Sequence, residues 1–87
     1  VTFEVEIRYL AAVRDETGCR QERVTLPPGA TLQDVFQWLN TKYGLSLPNA
    51  QVMVVLNGKG WGQLPALQLT KLENGDAILL FPVISGG

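Results

Sequence analysis

The sequence closes on Val83-Ile84-Ser85-Gly86-Gly87, five residues without a charge that directly follow a proline. Taken as a C-terminus, this segment is expected to end in a free carboxylate on Gly87. ATP can convert such a group to an acyl-adenylate, which sulfur or an amine can then attack. Gly86-Gly87 suits the delivery of that group: two residues without Cβ atoms thread a narrow channel and reach φ values closed to other residues. Five extended residues span roughly 17 Å, about the depth of an enzyme cleft. Chain ends often fray without purpose. Solvated tails, however, are typically charged and polar, and with glycine near 7% of residues a chance terminal pair arises in roughly one chain in 200. Gly87 is therefore the candidate reacting residue, with Gly86 beside it.

Little else in the chain offers chemistry. There is no His, so the commonest general base and metal ligand is absent. Cys19 is alone, which excludes an internal disulfide, a CxxC redox pair, a Cys-ligated zinc site and a four-Cys iron–sulfur centre. Seven Lys and Arg against eight Asp and Glu leave a net charge of −1 with the basic residues scattered, not the basic stripe of a nucleic-acid binder. No apolar run approaches the roughly 18 residues of a membrane span. Glu4, Glu6 and Arg8 interrupt the first apolar positions, which argues against a secretory signal and for a cytoplasmic location.

The elements that must position the tail are readable from periodicity. Val1, Phe3, Val5, Ile7 and Tyr9 alternate with polar residues, as in a strand with one buried and one wet face. Ala11 to Val13 suit a short helical turn that Gly18 ends. Arg20 to Leu26 reads as a second strand with Val24 and Leu26 inward, stopped by Pro27-Pro28-Gly29. Thr31 and Asp34 make an approximate capping box. Leu32, Val35, Phe36, Leu39 and Tyr43 then fall on one helical face and Gly44 closes it, which predicts a helix over Leu32–Tyr43.

Val52 to Leu56 is a continuous apolar, β-branched run, expected to be a strand buried on both faces. Asn57-Gly58 marks a turn, after which Gly58, Gly60 and Gly62 are expected to loosen the segment around Trp61. Leu64 to Leu72, broken by Pro65, suits a short strand or a helical turn. Asn74-Gly75-Asp76 is another turn, and Ala77 to Phe81 the last strand, with Pro82 expected to stop it continuing as a central one. At 87 residues the chain is long enough for one core and too short for two. The order strand, strand, helix, strand, strand describes an α+β fold, a β-grasp roll with a mixed sheet of four to five strands and one main helix. Residues 1–82 form the domain and 83–87 a flexible tail. The last strand is expected to lie centrally, parallel to the first.

Phe81-Pro82-Val83-Ile84-Ser85-Gly86-Gly87, preceded by Gly75-Asp76 and an apolar strand, resembles the C-terminus of the molybdopterin-synthase small subunit. That family typically reads Gly-Asp, a hydrophobic strand, then Phe-Pro-Pro-Val-x-Gly-Gly. Phe81, Pro82, Gly86 and Gly87 match; Val83 replaces the second proline and Ile84 stands for the valine. Pro28-Gly29-Ala30-Thr31-Leu32 and Asn57-Gly58 also look like that family, and the element order agrees along the whole chain. The resemblance implies that an E1-like enzyme adenylates the Gly87 carboxylate using ATP, that a sulfur donor converts it to a thiocarboxylate, and that the tail surrenders sulfur inside the large synthase subunit. Phe81, Pro82, Val83, Ile84 and Ser85 would contact the partner. The chain itself would bind no cofactor or metal and would turn over no substrate alone. The thiamine sulfur carrier and ubiquitin-like modifiers conjugated to lysine share this fold and tail. A plain interaction domain with an incidental Gly-Gly is the bland alternative.

Other residues have ordinary readings beside sharper ones. Asn57 to Gly62 lacks the spacing and the Ser/Thr of a phosphate loop. Trp61 packs over the domain's edge on burial tendency, or anchors a partner from a glycine-rich segment. Phe81 is a core aromatic or a partner contact, and both stay open here. Trp38 lies off the helical stripe and flanks the core. Cys19, in a loop, reads as a spectator more than as a sulfur relay, with only Arg20 nearby to lower its pKa, and Glu4 and Glu6 as solvation of the wet strand face.

Overall fold

A computed structural model describes residues 1–83. Its elements are β1 (Phe3–Tyr9), α1 (Ala11–Thr17), β2 (Gln21–Leu26), α2 (Leu32–Tyr43), β3 (Val52–Leu56), β4 (Lys59–Gly60) and β5 (Ala77–Pro82), with single 3-10 turns at Trp61–Gln63 and Leu67–Leu69. The sheet order is β2-β1-β5-β3-β4. β1 runs antiparallel to β2 and parallel to β5, with Ile7 opposite Ile78, and β5 is antiparallel to β3. This is the mixed-sheet α+β roll expected from the element order, with the last strand central beside the first.

α2 begins and ends where its residues predict. The Asp34 carboxylate accepts the Thr31 backbone N–H at 2.7 Å, and Gly44 takes the left-handed conformation at φ 72 and returns its N–H to the Asn40 carbonyl. Leu32, Val35, Phe36 and Leu39 are buried. They meet the inner sheet face of Val5, Ile7, Val24, Leu26, Val54, Leu56, Ile78 and Leu80 in one core. Asp34→Ala should cost about 1 kcal/mol, the usual worth of an N-terminal cap. Urea denaturation checks this, and no change in midpoint would mean that water satisfies the Thr31 N–H equally well.

Two expectations are corrected. β3 is not buried on both faces: Val54 and Leu56 are buried, whereas Val55 is half-buried and Met53 is 37% exposed. A continuous apolar run marks two-sided burial when helices cover both sides of a sheet. Here α2 covers one side only, so the odd-numbered residues of β3 and β5 face outward. The glycine-rich segment is also not loose. Asn57 and Gly58 both take positive φ, 49 and 87, which is the two-residue hairpin geometry that matches strand twist. They fold Lys59–Gly60 back onto Val55–Leu56 as β4, and Trp61 follows in a 3-10 turn.

Pro82 is tolerated in β5, one residue beyond the expected strand end, for a reason visible in the ladder. The Val83 N–H donates to the Gln51 carbonyl at 2.9 Å, so odd residues of β5 bond toward β3, while the Leu80 carbonyl accepts the Leu10 N–H on the β1 side. The N–H that Pro82 lacks would point toward β1. The β1–β5 pairing has already ended there, at Tyr9 and Leu80. Proline thus costs no ladder bond.

Candidate functional site: the open sheet face at the root of the C-terminal segment

The uncovered face of the sheet is divided. On β1 it carries Glu4, Glu6 and Arg8, the last two paired at 2.9 Å. On β5 and β3 it carries Leu79 opposite Val55 and Phe81 opposite Met53. These four apolar side chains form a contiguous patch at the end of the sheet where the chain leaves β5. Phe81 is half-buried and stands outside the core cluster, which favours the contact role over the core role. Pro82 lies on the opposite face, aligned with Val52. Val83 is 42% exposed, and its N–H is still held by the Gln51 carbonyl just before β3, at the residue where the tail was expected to begin. Ile84, Ser85, Gly86 and Gly87 lie outside the described residues.

Trp61 packs edge-on against Phe36 of α2, with centroids 6.2 Å apart, as its edge-packing reading expects. Its remaining surface borders a groove beside Met53 and Val83. Trp38 flanks the core as expected, edge-on to Tyr43 and beneath Lys42.

A polar cluster toward the β2 edge of the sheet, on its covered face, escaped the sequence reading. Glu22 accepts hydrogen bonds from Tyr9 at 2.7 Å, from Lys42 at 2.8 Å and from Tyr43. The alternation that places Val24 and Leu26 inward also places Glu22 inward, opposite Ile7. A carboxylate on a core face requires such partners. Burial alone would raise the Glu22 pKa, but the bonds from Lys42, Tyr43 and Tyr9 outweigh it and hold the group below the usual carboxylate range. Burial first, and then the same carboxylate, push Tyr9 and Tyr43 above the ordinary phenol value.

Cys19 sits against this cluster, 3.7 Å from both Glu22 and Tyr43. Its contacts are a carboxylate and hydroxyls, not the cations that mark reactive thiols.

The stability that Glu22 contributes is present above its unfolded pKa and is lost as pH falls through its lower folded value. Urea midpoints should therefore hold steady from neutrality into mild acid and fall below the usual carboxylate range. Glu22→Gln should flatten that fall. An unchanged acid limb in the variant would show that other carboxylates set it.

Among the described residues no three His, Cys, Asp or Glu side chains converge on a metal site, and no helix is long and apolar enough to cross a membrane. What the geometry offers instead is a contact patch at the base of a chain segment. The profile of the ThiS family matches residues 7–87. The chain belongs to the ThiS family. Among curated relatives, this ThiS-family chain is 29% identical to small archaeal modifier protein 3 of Haloferax volcanii over 93 residues, covering 98% of this chain and all of that one. The solution structure of a Haloferax volcanii protein superposes with a TM-score of 0.80 at 29% identity, covering 99% of this chain and 88% of the other. A Helicobacter pylori complex of subunits 1 and 2 of molybdopterin-converting factor matches with a TM-score of 0.62 at 25% identity, over 98% of this chain and 100% of that one. The fold is the ubiquitin-like β-grasp, and the protein falls in the group of sulfur carriers and ubiquitin-like small modifiers.

Proposed function

We propose that this chain is the sulfur-donating small subunit of a molybdopterin synthase, with the Gly87 carboxylate as its working group. In the first step a carboxylate oxygen attacks the α-phosphorus of ATP on an E1-like enzyme, forming the acyl-adenylate and releasing pyrophosphate. A sulfide-level donor then displaces AMP and leaves a thiocarboxylate. In the large subunit the thiocarboxylate gives up its sulfur, and Gly87 returns to the carboxylate with oxygen from water. The chain needs no catalytic side chain for this, because the flanking enzymes supply the chemistry and the domain supplies grip and reach.

The observation that carries the reading is the apolar patch of Met53, Val55, Leu79 and Phe81 at the root of a Gly-Gly segment. A partner that positions the terminus must hold the domain close to Val83, and an uncovered aromatic–aliphatic face is the kind of surface such a partner buries. The Helicobacter pylori neighbour, itself a complex of two molybdopterin-converting subunits, supports the pairing with a large subunit.

A second reading, a modifier conjugated to lysine, is favoured by the likeness to small archaeal modifier protein 3. Intact mass spectrometry of the protein from its native host separates the two. An oxygen-to-sulfur mass shift that maps to Gly87 supports the carrier. Gly-Gly remnants on lysines of other proteins, with no thiocarboxylate, would replace that reading with the modifier.

A further inference from the structure

Beside the open face, a groove of about 450 Å³ curls around the start of β3, walled by Pro48, Ala50, Val52, Met53, Trp61 and Val83. Among the described residues no charged side chain lines it. Besides the Trp61 indole N–H, the polar side chain lining it among the described residues is Asn49, which is occupied by its own loop: the amide donates to the Ser46 carbonyl at 2.6 Å and the side-chain oxygen accepts the Gln51 N–H at 2.8 Å. The groove therefore offers a mainly apolar seat. Trp61, held edge-on by Phe36, gives that seat a wall that is already ordered, so an occupant pays little to fix it.

The position of the groove identifies what covers it. Gly87 is the fourth residue beyond Val83, a reach of at most about 14 Å. Any enzyme that draws the Gly87 carboxylate into a closed reacting centre must bring its own surface to the neighbours of Val83. We infer that the groove seats an aliphatic or aromatic side chain of the enzyme that adenylates the terminal carboxylate. This rests on the carboxylate being the working group, as proposed above. It does not rest on molybdopterin as the destination, because carrier and modifier alike pass through adenylation.

Ala50 is exposed in the turn before β3, outside the core and the ladder. Ala50→Arg places a long charged side chain in the groove and leaves the fold intact, which a thermal melt verifies. ATP–pyrophosphate exchange with the cognate adenylating enzyme is then measured for the wild type, for Ala50→Arg, and for Thr25→Arg on the opposite edge strand. Losing the burial of one Leu- or Phe-sized side chain should raise KM for the chain about tenfold or more, with kcat unchanged. Thr25→Arg should match the wild type.

A KM for Ala50→Arg within about twofold of wild type overturns the inference. So does an unchanged KM accompanied by weaker sulfur transfer, which assigns the groove to the sulfur acceptor. So does an unchanged KM with lost self-association in sedimentation, which assigns it to a second copy of the chain. If the wild type is not adenylated at all, the reading of Gly87 fails and takes this inference with it. If the wild type is adenylated and Ala50→Arg is indistinguishable, only the groove assignment falls.

Discussion

Deleting Gly87, or adding one alanine after it, should lower adenylation and thiocarboxylate formation by about a hundredfold or more, because a misplacement of about 1 Å at a reacting centre already costs that much. The deletion withdraws the carboxylate by about 3.5 Å. The addition moves it by the same amount and puts a Cβ where the partner's channel accepts glycine. Both changes lie beyond the last described hydrogen bond of the sheet, from Val83 to Gln51, and leave every residue of the described core cluster in place. The melting temperature should therefore hold. The measurement pairs ATP-dependent adenylation by the cognate enzyme with a thermal melt. Full activity in both altered chains would show that the terminal carboxylate is not the working group.

Phe81→Ala should weaken binding of the large synthase subunit by roughly thirtyfold, the scale of losing an aromatic anchor worth about 2 kcal/mol at an interface centre. Phe81 sits opposite Met53 on the uncovered face and has no place in the core cluster. Its neighbour Leu80 points the other way and is fully buried. Leu80→Ala therefore serves as the contrast: it should lose about 2–5 kcal/mol of stability, while Phe81→Ala loses at most about 1 kcal/mol, the span of strand propensity. Titration calorimetry and urea denaturation of both variants separate the roles. Normal affinity in folded Phe81→Ala, with stability lost as in Leu80→Ala, would return Phe81 to the core and move the docking surface elsewhere.

Periodicity alone carried much of the molecule. Leu32, Val35, Phe36 and Leu39 on one face, a capping pair at Thr31 and Asp34, and Gly44 beyond the last turn specify α2 to the residue. These are interactions among residues at most a few positions apart, and their spacing is written directly in the chain. The alternation through β1 and the turn at Asn57-Gly58 are local in the same sense. Gly87 is a candidate on local grounds too, because the chemistry proposed for it depends on chain position and on the absence of side chains.

Only the tertiary structure decided which strand faces are covered. The run Val52–Leu56 read as buried on both sides, and nothing within it says that a single helical layer will cover the sheet. That number is set by how distant elements stack, and it turned Met53 and Val55 from expected core into part of an uncovered patch with Leu79 and Phe81. The Glu22 cluster was hidden for the same reason. Tyr9, Lys42 and Tyr43 lie far from Glu22 in sequence and converge only when α2 crosses the end of the sheet. Local spacing reports which residues share a face; what comes to lie against that face is a property of the whole fold.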